Sequence, residues 1–277
     1  TAMGTALGGT VGAYIGNNYI GDIYKFDIKK IKSGTQPALV TINGFLSEPD
    51  KRNEKGYQDW QNLVAAKYAQ NEWYHVYWES KSLWDIGSLI AKEGGGAGIG
   101  AALGAAAKHA SKQAMKKVGP AATVVMLIQL SNNPWHIAMV KAEKTGALLA
   151  DILSRTKKQY ILIGHSLGAR VIYAALRALA TRESSIIFET HVTGGAVDNN
   201  TDNWRNANKA VINKIVNYYS QNDNVLKYLY KAGTFFASTP IGRNPIEDVA
   251  DILNKDVTAW VDGHMFYKPN ADKFWEL

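Results

Sequence analysis

Cysteine is absent from the 277-residue chain. That removes disulfides, thiolate-ligated zinc and thiol catalysis from consideration, while leaving the redox compartment open. Blocks of basic charge are missing as well. Lys and Arg total 31 against 24 Asp and Glu, a formal charge of +7, yet the lysines come in ones and twos (Lys29, Lys30, Lys116, Lys117, Lys157, Lys158). A scattered excess of this kind reads first as a solvated surface, and beyond that it favours anionic surfaces such as phospholipid headgroups or nucleic acid without choosing between them. No basic-aromatic platform or groove-reading motif is present, so nucleic acid is not an expected partner. The opening residues lack the basic n-region, apolar stretch and cleavage site of a secretory signal.

Charge of either sign is also missing from Thr1 to Ile20, where Gly4, Gly8, Gly12 and Gly16 recur every fourth residue. On a helix that spacing lines one face with glycine, allowing a second helix to approach closely. Gly96, Gly100 and Gly104 repeat the pattern inside a nearly pure Gly/Ala stretch. The second stretch is too short to span a bilayer and the first is borderline. Three readings stand open: a tightly packed helical pair in a soluble domain, a lid or membrane-touching element, and a transmembrane hairpin. The abrupt start of the first zipper suggests a piece of something longer. Gly96-Ala97-Gly98-Ile99-Gly100-Ala101 loosely fits a dinucleotide fingerprint, but Ser82 to Glu93 ahead of it reads as a helix rather than the required strand. No metal or organic cofactor is expected.

What is present is an alternation of strand and helix patterns over a chain long enough for one large core, with 46% hydrophobic residues. Strands are expected at Ala38 to Asn43, Trp73 to Trp78, Gln159 to Ile163, Ser185 to Val192, Val211 to Tyr219 and Val257 to Val261. Helices are expected at about Gln58 to Ala69, Ile137 to Leu153 and Ala169 to Ala180. This order implies an α/β fold with a mostly parallel sheet and helices on both faces. Residues 1–34 read as a glycine-zipper segment and 35–277 as the catalytic domain, with a helical, Gly/Ala-rich cap insertion at about 80–155.

The sharpest signal is Gly164-His165-Ser166-Leu167-Gly168, set between the strand Gln159 to Ile163 and the helix from Ala169. Glycines two residues either side of a serine allow the sharp strand-to-helix turn that lifts a nucleophilic hydroxyl clear of a sheet. The following helix aims free N–H groups at the site, making the Leu167 amide one oxyanion donor. A serine needs a histidine base and an orienting carboxylate, in the chain order Ser, Asp/Glu, His for this fold. His75, His109 and His136 precede the serine and His165 belongs to the turn, leaving His264 favoured over His191. For the acid, Asp223 in Ser-Gln-Asn-Asp-Asn follows the strand ending at Tyr219 and is favoured over Asp198; Asp262 stands too close to His264 in sequence. A second oxyanion donor is expected from the loop after the first strand, where Gly44 would aim the Phe45 amide.

Val40-Thr41-Ile42-Asn43-Gly44-Phe45-Leu46-Ser47, Asn133-Pro134-Trp135, Gly164 through Arg170 and Tyr219 through Leu226 together resemble the α/β-hydrolases related to transmembrane-and-coiled-coil-domain proteins. The glycine-zipper stretches are similar to that family too. The resemblance covers most of the chain and implies a lipase-like α/β-hydrolase fold with Ser166, Asp223 and His264 in triad positions. Bacterial members look like lipolytic enzymes, some delivered as toxins, which would add a neutralising partner protein. The expectation is a lipolytic serine ester hydrolase acting on phospholipid, with lipid as substrate and peripheral contact with a membrane surface. Neutral-lipid or small-ester hydrolysis is the alternative among enzymes. A membrane-interacting protein without turnover is the alternative from another class.

Overall fold

The computed structural model describes residues 26–44, 56–78, 134–230 and 239–275. Phe45, the two glycine zippers, the stretch Ser82 to Glu93 and most of the expected cap lie outside the described residues. Seven strands and five α-helices organise what is described. They run β1 (Asp27–Lys32), β2 (Thr35–Ile42), α1 (Gln61–Lys67), β3 (Asn71–Tyr77), α2 (Pro134–Ser154), β4 (Tyr160–His165), α3 (Leu167–Leu179), β5 (Ile187–Thr193), α4 (Thr201–Asn208), β6 (Val211–Tyr219), β7 (Ile252–Asp256) and α5 (Ala271–Phe274).

The seven strands form one sheet in the order β1-β3-β2-β4-β5-β6-β7. Only the β1–β3 pair is antiparallel; every other pairing is parallel. Parallel neighbours need crossovers, and helices fill them, so both faces are covered and the central strands read as unbroken apolar runs. Tyr160-Ile161-Leu162-Ile163-Gly164-His165 is such a run, buried along its whole length. Side chains alternate across the sheet. Val40, Ile42 and Leu162 face one core with Trp135, Ala138 and Leu149 of α2 and Val171 and Ala175 of α3. Leu39, Ile161 and Ile163 face another with Trp60, Leu63, Tyr267 and Phe274.

α3 forms because Leu167-Gly168-Ala169-Arg170-Val171-Ile172-Tyr173-Ala174-Ala175-Leu176-Arg177-Ala178-Leu179 is rich in alanine and leucine and keeps an apolar face. That face lies on β4, and α2 lies along α3. The two helices approach closely at Gly146, where a Cβ would overlap the Val171 carbonyl oxygen and stand 2.6 Å from the Ala174 Cβ. α2 includes the expected helix Ile137 to Leu153 and falls within the stretch assigned to the cap. Among the described residues no helix is long and apolar enough to cross a membrane.

Two differences from the sequence reading concern strands. Val257 to Val261 is not a strand: Trp260 and Val261 both donate their amides to the Val257 carbonyl, closing a turn. The last strand is instead Ile252–Asp256, whose Ile-Leu-Asn-Lys-Asp pattern is weak because an edge strand gains little from burial; Leu253 is 45% exposed. At the other edge, β1 falls in residues assigned to the N-terminal segment and pairs with β3. Lys29, Lys30 and Lys32 blunt that edge with charge.

The register sets where the loops emerge. Ile42 is opposite Gly164, His165 opposite Thr193, and Thr193 opposite Tyr218. The carboxyl ends of β2, β4, β5 and β6 therefore align, and the segments starting at Asn43, Ser166, Gly194 and Ser220 leave one edge together. Open parallel sheets place their sites at that edge.

Candidate active site

Ser166 sits between β4 and α3 with φ 60° and ψ −122°, a left-handed conformation that non-glycine residues rarely adopt. Backbone bonds hold it there. Its amide donates to the Thr193 carbonyl at 3.0 Å, and its carbonyl accepts from Ala169 and Ala196, each at 3.1 Å. Glycine is required on both sides for lack of room. A Cβ on Gly164 would stand 2.9 Å from the Gly168 carbonyl carbon and oxygen, and one on Gly168 would overlap the Ile42 carbonyl oxygen.

The Ser166 hydroxyl lies 2.8 Å from His264 Nε2, and His264 Nδ1 lies 2.7 Å from Asp223 Oδ2. With Nδ1–H donating to the carboxylate, Nε2 carries the lone pair and accepts from the hydroxyl. Ser166 and Asp223 are fully buried and His264 nearly so. Asp223 leaves β6 through the turn Ser220 to Asn222; its second oxygen accepts the Leu226 amide at 3.0 Å, and its carbonyl accepts from Arg243 at 2.7 Å. His264 starts a short 3-10 turn, His264–Phe266. The Ser220 hydroxyl donates to the Val261 carbonyl at 2.6 Å and so ties the acid segment to the histidine segment.

The structure thus brings Ser166, His264 and Asp223 together and leaves their rivals elsewhere. His191 is buried among aromatics, within hydrogen-bond distance of Tyr218 Oη at 3.2 Å and Tyr68 Oη at 3.3 Å, with its ring stacked on Trp275. Asp198 accepts the Asn200 amide at 2.7 Å ahead of α4. Asp262 accepts from the Asn222 side chain at 3.3 Å. Leu167 is buried at the start of α3, and a Cβ on Gly44 would overlap its amide nitrogen, so the backbone leading to Phe45 runs against the turn. Phe45 itself lies outside the described residues. Among the described residues no three of His, Cys, Asp and Glu gather as a metal ion would require.

Several contributors carry no legible sequence signal. The His165 ring lies 4.8 Å from that of His264 and 5.6 Å from that of Tyr267, with Nδ1 3.1 Å from the Thr193 carbonyl. Burial, the neighbouring His264 and Lys268 together push its pKa well below the usual histidine value, so it stays neutral beside the base. Tyr267 donates its hydroxyl to the Gly242 carbonyl at 2.9 Å; burial first, and then the Asp223 carboxylate, push its pKa far up. Gly194, at φ 52°, leaves the space its ring occupies. Arg170, three residues into the helix, donates to the Ala196 carbonyl at 2.9 Å and to Glu143 of α2 at 2.5 Å, pinning the loop after β5 to both helices.

The chain belongs to the family described as "Protein of unknown function (DUF726)", which matches residues 1–277. It is 29% identical over 272 residues to an uncharacterized membrane protein of Schizosaccharomyces pombe, covering 93% of this chain and 33% of that one. It is 28% identical over 276 residues to a Saccharomyces cerevisiae protein named "Probable lipase MIL1", covering 97% of this chain and 25% of the relative. A transmembrane and coiled-coil domain-containing protein of Oryza sativa is 28% identical over 285 residues, covering 99% and 42%. The chain spans between a quarter and a half of the length of the curated relatives it matches. These names are eukaryotic and none describes a bacterial effector.

Proposed function

We propose that this member of the DUF726 family is a lipolytic serine hydrolase on an α/β-hydrolase fold, cleaving carboxylic esters of lipids, with phospholipid as the leading substrate class. The observation that carries the reading is the pair of contacts at His264: 2.8 Å to the Ser166 hydroxyl and 2.7 Å to the Asp223 carboxylate. That is the geometry in which a neutral imidazole can take a proton while a carboxylate holds its tautomer. The Ser166 oxygen attacks the ester carbonyl carbon as its proton passes to His264 Nε2. The tetrahedral oxyanion rests against the amides of Leu167 and Phe45. Collapse returns the carbonyl and expels the alcohol, which leaves with the proton from Nε2. Water, deprotonated by His264, then attacks the acyl-enzyme and releases the fatty acid with Ser166 restored. A similar protein named as a probable lipase supports lipid as the substrate, and the charge of +7 suits an anionic interface. The catalytic unit would begin with β1, which is part of the sheet, and include α2, which packs in its core, so that a cap would be confined to the stretch before α2; the unit would touch the membrane surface peripherally.

The test is fatty-acid release from anionic phospholipid vesicles and from triglyceride emulsion by the wild type and by Ser166→Ala, with folding checked. Release from phospholipid that disappears in the variant supports both the mechanism and the substrate class. Release from triglyceride alone moves the substrate to neutral lipid. The membrane names among its relatives favour one other reading, a membrane-interacting protein that keeps this fold without turnover. Vesicle leakage that persists unchanged in Ser166→Ala, with no fatty acid released by the wild type, would establish that reading instead.

A further inference from the structure

Asn43 stands at the carboxyl end of β2, one residue before Gly44, and is 1% exposed. Both ends of its side chain are engaged. The amide nitrogen donates to the Gly56 carbonyl at 2.8 Å, while the amide oxygen accepts from Trp60 Nε1 at 2.8 Å and from Lys268 Nζ at 3.4 Å. Its backbone carbonyl accepts from Trp78 Nε1 at 2.9 Å. The bond to Gly56 ties the end of β2 to the backbone just ahead of Trp60 and α1. Lys268, four residues beyond His264, also pairs with Asp59 and lies 5.8 Å from the centre of the Trp60 ring. Its side chain is only 9% exposed. The segment after β2 and the segment bearing His264 therefore meet at one amide group. Gly44 adds rigidity, because its backbone packs against the Leu167 amide and a Cβ there would stand 2.8 Å from Ser166 Cβ.

We propose that Asn43 is a positioning residue for the oxyanion hole, and that Lys268 locks it in register with the histidine segment. The backbone at Asn43 and Gly44, the Leu167 amide and the segment bearing His264 are then held as one unit. The inference rests on the serine-hydrolase reading above. An asparagine suits the position because its planar group offers a donor and an acceptor at once: the donor fixes Gly56, and the acceptor receives Trp60 and Lys268. Aspartate keeps the acceptor and loses the donor; alanine loses both. Misplacement of reacting or stabilising groups by a fraction of an ångström slows the chemical step far more than it weakens substrate binding.

The test uses the full chain as wild type, Asn43→Ala, Asn43→Asp, Lys268→Met and the double variant Asn43→Ala with Lys268→Met. It measures kcat and KM on p-nitrophenyl butyrate, melting temperature, and the rate at which a fluorophosphonate labels Ser166, since the phosphoryl oxygen of that reagent occupies the oxyanion position. Asn43→Ala is expected to lower kcat and the labelling rate together, on the order of 10²-fold, and Lys268→Met about tenfold, with KM shifted less than about threefold. The double variant is expected to be no slower than Asn43→Ala, because two changes to one linkage do not add. Folded Lys268→Met and Asn43→Asp with wild-type kcat and labelling would overturn the inference, as would a rise in KM with kcat intact. Should Asn43→Ala fail to fold, Lys268→Met and Asn43→Asp decide the matter. A wild type that neither hydrolyses the ester nor takes the label overturns the hydrolase reading and this inference with it; a reactive wild type with indifferent variants overturns this inference alone.

Discussion

Ser166 holds its unfavourable backbone angles only because neighbouring segments fix both its amide and its carbonyl. Strain of this kind costs on the order of 1–3 kcal/mol and survives where surrounding structure enforces it. It sets the hydroxyl 2.8 Å from His264 Nε2. Within that geometry the three residues carry unequal loads. Asp223 does not touch the hydroxyl; it fixes the His264 tautomer through Nδ1. Asp223→Asn, nearly identical in shape, could donate its amide to Nδ1 and favour the opposite tautomer, leaving Nε2 protonated and unable to accept from Ser166. The expected result is a fall in kcat of roughly 10⁴-fold with little loss of stability, read from ester hydrolysis and thermal unfolding side by side. Hydrolysis within about tenfold of the wild type would place the orienting role elsewhere.

Glycine marks the places where elements approach too closely for a side chain. The α2–α3 contact at Gly146 and the α3–β2 contact at Gly168 are both of this type, since each hydrogen replaced by a methyl group would meet a carbonyl oxygen of the facing element. Backbone cannot swing aside as a flexible side chain can. Gly146→Ala should therefore destabilise the chain by about 1–3 kcal/mol through overpacking, seen as a lower urea midpoint. Gly168→Ala pushes α3 off the end of β2, beside the turn itself, and should lower both stability and kcat. An unchanged urea midpoint for Gly146→Ala would mean that the two helices can separate freely. The segments after β6 and β7 behave as a second kind of element: Ser220 and Tyr267 cross-link them, and Arg243 braces the Asp223 carbonyl from within the first, so the acid and the base are presented by loops that share bonds.

At the scale of the whole molecule, the sheet face toward Trp60 and Tyr267 carries a buried layer of polar residues from several strands, among them Thr41, His75, His165, His191 and Thr193. His75 lies with Nδ1 2.7 Å from the Thr41 hydroxyl, and burial, followed by the charge on Lys268, lowers its pKa to about 3. His165 is lowered in the same direction. A depressed histidine pKa means that the folded chain refuses a proton which the unfolded chain accepts below its ordinary value near 6.5. Stability is then full above that value and falls as the pH drops toward the folded one. Glu72, held down to about 2 by Lys158 and Lys30, loses its contribution only below its ordinary value of 4.5. Between about pH 6.5 and 5 the histidines thus dominate, and the cost from His75 alone should steepen from about 0.7 kcal/mol per pH unit at the upper end toward about 1.4 at the lower. Urea unfolding of the wild type and of His75→Gln across that window should show a shallower slope in the variant; equal slopes would mean that His75 takes up its proton in the folded chain.

The sequence by itself determined the local grammar. A parallel strand buried on both faces must be an apolar run, a serine turn between strand and helix must be flanked by small residues, and an amphipathic helix must repeat its apolar positions; each of these is written in neighbouring residues, from Tyr160 to Leu179 without a break. The candidates Ser166, Asp223 and His264 also came from order along the chain and from the residue types such chemistry needs. Edge elements were less legible, because β1 and β7 are stabilised by pairing with a neighbour rather than by their own burial, and Val257 to Val261 has apolar residues that serve a turn. Only the tertiary structure decided the distances within the group around His264, the seat of Tyr267 against Gly194, and the meeting of Asn43 with Lys268. Those contacts join residues far apart in the chain through the register of parallel strands, and no periodicity within a short window records which loops that register will bring to the same edge.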